Sequence, residues 1–451
     1  MQTDIYGNDI SLAAADAAES WNAMMQAFLA HGASVPDHLA RVIAAEPQFG
    51  LAHAVKGLFM LTLGRRELVA VAAEALAAAR AAPGATARER LYTEALAEWL
   101  AGRPTQAVAR LEAVLGMHPQ DALAMKLSHA IRFIMGDRRG MLSSVEAVLP
   151  AYGADHPARG YLLGCRSFAL EENGFFDDAR LTGIEGMQSA RDDAWGLHAV
   201  AHVHDMTANS AAGLAWLEAN EGAWDHCNNF RYHVWWHKAL MHLDQGDLDS
   251  VFSLYDAKIR KDHTDDFRDI SNGTSLLMRL ELDGHDVGSR WEELADLSEN
   301  RIDDGCLVFA DLHYLLALVG DGRKEAAARL VARISRDADS DGVEVARICA
   351  DPGRAAAEGL ELFGEGAYAP AFHRLASARA GMQRIGGSHA QRDVFERLTI
   401  DAGIRAGYLN DAEKIILERS AMRAGAEDAY AASRRELIGR MRRQALAMPA
   451  E

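Results

Sequence analysis

Between Trp195 and His242 the chain gathers seven of its eighteen histidines and five of its eight tryptophans. The first run reads Trp195-Gly-Leu-His198-Ala-Val-Ala-His202-Val-His204-Asp205. The second reads His233-Val-Trp-Trp-His237 and continues to Asp244-Gln-Gly246. Residues three, four and seven apart share one face of an α-helix, so Trp195, His198, His202 and Asp205 predict one stripe, and His233, His237 and Asp244 a second. Both histidine pairs repeat at an offset of 35 residues, about one helix-turn-helix repeat, so the stripes should face a common cavity.

Three chemistries fit imidazoles placed this way. Two His at i and i+4 can grip one metal ion from a single helix. A His beside a carboxylate can work as acid and base. Neutral imidazoles, which donate and accept at once, can also line a ligand cavity. The zincin pattern needs Glu after the first His, where Ala199 and Val234 stand. No metal ligand is therefore assigned; a transition metal is the minor alternative, and no nucleotide or flavin motif occurs.

The residues expected to bind a ligand are Trp195, His198, His202, Asp205, His233, Trp236, His237, Asp311, His313, His389 and Arg392. If the site is catalytic, His202, His237, Asp311 and His313 are the candidates. Asp205, Asp244 and Asp311 can orient the imidazoles, although ordinary helix-end solvation also explains Asp244. Trp195 and Trp236 offer stacking surfaces for a planar or cationic ligand. Trp216 and Trp235 fill space between helices, and His204, His226 and His242 are packed or surface residues.

Gly386-Gly-Ser388-His389-Ala-Gln391-Arg392 reads as a capping box at a helix start, and equally as an anion-binding N-terminus able to close over the central stripes. Cys165 lacks a base partner, which weakens any reading of it as a nucleophile.

These side chains must be positioned by helices. Ala, Leu, Glu and Arg are abundant and only 10 Pro occur in 451 residues. Turn glycines recur at Gly64, Gly102, Gly136, Gly174, Gly246, Gly284, Gly322, Gly366 and Gly407, most of them 34 to 44 residues apart. The interval of 72 residues holds two repeats, with Asn209 to Gly213 as their shared turn and Ala211 in the glycine's place.

Aligned on those turns, His202, His237 and His313 fall at one repeat position and Ser275 at the same place in the repeat between the last two. Core packing alone would choose Leu or Ala there. The expected fold is all-α: a tetratricopeptide-like α-solenoid superhelix of about ten helical hairpins, forming one domain over residues 1–451. Residues 1–18 make an N-terminal extension and 425–451 a C-terminal capping helix. The stretch Asp337 to Gly353 carries break signals and predicts a hinge or an inserted turn.

A net charge of −18 without a basic tract excludes a nucleic-acid backbone as the main partner. The four cysteines lack metal or disulfide spacing and read as reduced thiols. With no signal-peptide pattern and no membrane-spanning run, a cytoplasmic protein without membrane attachment is expected. The expected partner is a small molecule or peptide, and a homo-oligomer is open.

At these motifs the chain resembles the tetratricopeptide repeat protein 38 family. The matching stretches are Gly160 to Gly174, Trp195 to Met206, His233 to Asp256, Val287 to Trp291, Phe309 to His313 and Gly386 to Phe395. The resemblance implies a curved helical superhelix in the cytoplasm and assigns no reaction. The expected function is binding of a small polar or anionic ligand, or a peptide end, in a His/Asp/Trp-lined concave pocket. The alternatives are a hydrolase or lyase built on the same His/Asp cluster, with or without metal assistance, and a protein-interaction scaffold.

Overall fold

The computed structural model describes residues 2–340 and 342–447. Met1, Asp341 and residues 448–451, which the domain span 1–451 includes, lie outside the described residues. Among the described residues eleven successive helix pairs run from Ala15–Leu29 with Val35–Ala45 to His389–Arg405 with Leu409–Met422. A last helix, Ala429–Ala447, follows. Among the described residues the only sheet is a short antiparallel pair, Gln2–Thr3 with Asp9–Ile10. This segment packs into the body: Ile10 and Leu12 are fully buried, and Ser11 N–H donates to Glu89 Oε1 at 2.8 Å.

All nine turn glycines adopt positive φ, between 61° and 86°, where a Cβ would be penalised. The pair that lacks such a glycine corrects the sequence register. Its left-handed residue is Ala208, at φ 51°, and Gly213 lies inside the helix Ser210–Ala219. Short polar neighbours and the His204 O to Asn209 N hydrogen bond hold the turn, at a backbone cost of about 1–2 kcal/mol. His202 therefore stands one helical turn closer to its loop than His237 and His313 do to theirs, and the three are not at one repeat position. The break predicted near Asp337 is real: a short helix, Glu344–Ile348, and an irregular turn, Cys349–Gly353, intervene between Lys324–Ala338 and Arg354–Gly364.

The chain also closes on itself. Gly102 O accepts Glu344 N at 2.9 Å, Gly136 O accepts Gln383 Nε2 at 3.0 Å, and Glu67 pairs with Arg301 at 2.7 Å. Glu172 Oε1 accepts His389 N at 2.7 Å, and Asp244 Oδ1 accepts Ala429 N at 2.8 Å. Glu67, Gly102, Gly136 and Glu172 of the first half are thus clasped to segments of the second, and Asp244 to the start of the last helix. In the C-terminal helix Arg434 and Ile438 are buried, with Arg434 on Asp401 and Asp283, while Arg435, Arg440 and Arg442 stay at the surface.

Candidate functional site

Four helices frame the histidines: Arg159–Glu172, Ala194–Met206, Phe230–Asp244 and Phe267–Leu282. Asp193 starts the second by accepting Gly196 N at 3.1 Å, and Asp266 caps the fourth through Arg268 N. The first two helices approach closely because Gly164 faces Gly196. A Cβ on Gly196 would stand 3.0 Å from the Gly164 Cα. That approach sets Phe168 and Glu171 against His198 and His202. The apolar core divides into two bodies here, one containing Trp195 and Ala199 and the other Ala194 and Trp236, and the imidazoles stand at the seam.

His198, His202, His233 and His237 converge so that one ring nitrogen of each lies within 4.8 Å of the others. His233 Nε2 is 3.1 Å from His198 Nε2 and 3.2 Å from His237 Nε2. His202 and His237 rings lie 4.3 Å apart. The group is enclosed: exposure is 0–1% for three of the rings and 9% for His233. An open pocket lined by His, Asp and Trp is therefore not what the fold builds. The imidazoles form an interior cluster walled by Phe168, Trp195, Phe230 and Trp236.

Two outer partners set the direction of the rings. His233 Nδ1 lies 2.9 Å from Asn272 Oδ1, and the tautomer that satisfies this acceptor leaves the Nε2 lone pair facing inward. His202 Nδ1 faces Glu171 Oε2 at 3.6 Å, which leaves Nε2 for the cluster. Neither outer residue is one of the aspartates that the sequence nominated. Asp205 turns to Arg423, Asp244 accepts Ser210 Oγ and Ala429 N, and Asp311 pairs with Arg333 at 2.5 Å. Glu171 was legible only as an acid in Phe168-Ala-Leu-Glu-Glu, on a helix buried nearly all round. Asn272 gave no signal beyond polarity.

Electrostatics keep most of the cluster in its ligating form. Burial drives His198 and His237 well below the ordinary histidine pKa and takes His233 down to about 3, with the neighbouring imidazoles adding to the shift. His202 is the exception: burial opposes its charge most strongly, but the carboxylates of Glu171, Glu172 and Asp205 together raise it. Burial also raises the Glu171 carboxyl, against the pull of His202.

Seven nitrogen and oxygen atoms here have no hydrogen-bond partner among the described residues: Nδ1 of His198 and His237, both ring nitrogens of His202, both carboxylate oxygens of Glu171, and Asn272 Nδ2. A buried polar atom left without any partner costs about 1–3 kcal/mol. Only His202 Nε2 among the seven belongs to the inward set, and with the Nε2 atoms of His198, His233 and His237 it offers four nitrogens to one divalent cation, which binds the neutral imidazole. Zinc-to-imidazole bonds of about 2.0–2.1 Å put the edge of a tetrahedron near 3.3 Å, close to both Nε2 separations.

The other sequence-nominated residues sit elsewhere. His313 Nδ1 donates to Phe309 O at 2.7 Å and its ring packs on Phe309 and Phe395. His389 and Arg392 meet Glu172, next in the chain to Glu171. Ser388 and Gln391 form the expected capping box. The faces of Trp195 and Trp236 are taken by the chain's own cations, Lys126 at 5.1 Å and Arg279 at 5.6 Å. His204 turns toward Gly213, His226 bonds Ala30 O and His242 meets Asp247. No protein-family model matches the chain.

Proposed function

We propose that this protein binds a transition-metal ion through the Nε2 atoms of His198, His202, His233 and His237. The supporting observation is the convergence of four ring nitrogens within 4.8 Å in an enclosed chamber. Asn272 acts as an outer partner that fixes His233, an arrangement typical of metal-ligating histidines, and Glu171 stands in ion-pair range of His202 at 3.6 Å. The ligand expected from the sequence thus takes a particular form, a cation rather than a polar organic molecule. An all-nitrogen set suits zinc, copper, nickel or ferrous iron.

The scaffold belongs to the same proposal: a tetratricopeptide-like superhelix of the tetratricopeptide repeat protein 38 family, residing in the cytoplasm. Glycine turns and paired helices support it. Four protein ligands close a tetrahedral ion and favour binding over catalysis, since catalytic zinc keeps one position open. Glu171 favours a second reading: a buried carboxylate without a hydrogen-bond partner beside His202 is a competent acid or base for a hydrolase or lyase if the ion is six-coordinate.

Elemental analysis of protein purified on a tag without histidines tests the proposal. One ion per chain is expected, with a nitrogen-only inner shell by X-ray absorption, and loss of the ion in His198→Ala and His237→Ala. A wild-type protein that takes up no ion when offered zinc, copper, nickel or ferrous iron rejects it.

A further inference from the structure

The two halves of the chain border a second cavity, of about 250 Å³, which none of the four imidazoles lines. Five arginines line it, Arg138, Arg379, Arg392, Arg419 and Arg423, together with His389. Three are neutralised by close carboxylates. Arg379 pairs with Glu396 at 2.6 Å, Arg419 with Asp393 and Asp428 at 2.6 Å each, and Arg392 with Glu172 at 3.3 Å.

Among the described residues, one of the remaining two has no carboxylate partner and the other only longer contacts with carboxylates. Arg138 has no carboxylate partner among the described residues; its Nη1 meets only Glu172 O and His389 Nε2. Arg423 is 4% exposed; its Nη2 donates to Asp205 O and stands 3.5 and 3.7 Å from the Asp205 and Asp428 carboxylates, and its Nε has no partner among the described residues. The closer donor to Asp428 is already Arg419. A buried guanidinium with a free N–H at a cavity wall carries a desolvation cost that an anion in the cavity removes. The apolar side chains Leu375, Met382, Phe395 and Met422 also line the cavity.

We infer that this cavity binds an organic anion, a carboxylate or phosphate head on a short apolar body, with the head between Arg138 and Arg423. The Ser388-capped start of His389–Arg405 adds its N-terminal dipole on the same side. The inference stands independently of the metal, because no histidine of the cluster lines this cavity.

Calorimetric titration of the full chain with octanoate, octyl phosphate and 1-octanol tests it. At least one anion should bind at least tenfold more tightly than octanol, and the tighter of the two identifies the head group. Arg138→Gln should weaken that anion at least tenfold, and Met382→Trp, which fills the cavity and keeps every charge, should abolish binding. Far-UV circular dichroism checks that both variants fold. If Arg138→Gln fails to fold, Met382→Trp alone decides. Neither anion binding above the octanol level, or unchanged binding in the folded variants, overturns the inference.

Discussion

Asn272 Oδ1 lies 2.9 Å from His233 Nδ1, on the side of the ring away from the other three imidazoles. This one contact decides which nitrogen of His233 carries the proton. Removing it frees the ring to present an N–H to the ion. Asn272→Ala should therefore weaken metal affinity about 10- to 100-fold, in the range found for outer-shell partners. Competition against a chromophoric chelator measures it; an affinity equal to wild type would show that His233 is oriented by packing alone.

Gly196 and Gly164 predict a steric effect. A methyl group on Gly196 meets Asp193 Oδ2 at 2.5 Å and backbone at 3.0 Å, and backbone cannot swing aside. Gly196→Ala should lower stability by about 1–3 kcal/mol in urea denaturation and reduce ion occupancy. Gly222→Ala, where nothing lies within 4 Å, is the matched control and should change neither.

Glu172 joins the first half of the chain to the second through His389 N and Arg392. Glu172 is 1% and Arg392 8% exposed, so Glu172→Ala leaves a buried cation unpaired. The expected loss is about 3–5 kcal/mol. A midpoint in chemical denaturation shifted by less than a quarter of that would mean that the closure rests on other contacts.

Acid should destabilise the fold through histidines outside the cluster. Burial holds His129 well below the ordinary pKa of about 6.5 and His313 down to about 4. Above pH 6.5 neither the folded nor the unfolded chain protonates them, and they contribute no pH dependence. Between pH 6.5 and about 4 the unfolded chain takes up protons that the folded one refuses, so stability falls as pH falls, by up to about 1.4 kcal/mol per pH unit for each ring. His313→Gln should flatten the slope by one such increment in that window, and an unchanged slope would place its protonation elsewhere.

Helices, turn glycines and both histidine stripes were legible because their signals are local, set by the 3.6-residue period and by positive φ. The tryptophans beside the imidazoles were legible for the same reason. Ala208 misled the register, since nothing local marks an alanine that adopts the left-handed conformation. The aspartates were misassigned because a residue one turn further along a stripe can face another helix: Asp205 meets Arg423, 218 residues later. Glu171 and Asn272 reach the cluster from helices not carrying the histidine motif, and only three-dimensional packing brings them there.

Arrays of helical hairpins ordinarily behave as one-dimensional chains, in which an end repeat can fray while the middle persists. The clasps from Gly102 to Glu344 and from Gly136 to Gln383 turn this array into a loop tied across more than two hundred residues. Neither half can melt without releasing the other. Unfolding should accordingly be far more cooperative than a nearest-neighbour chain of the same length allows, with the clasped hairpins acting as a single thermodynamic unit.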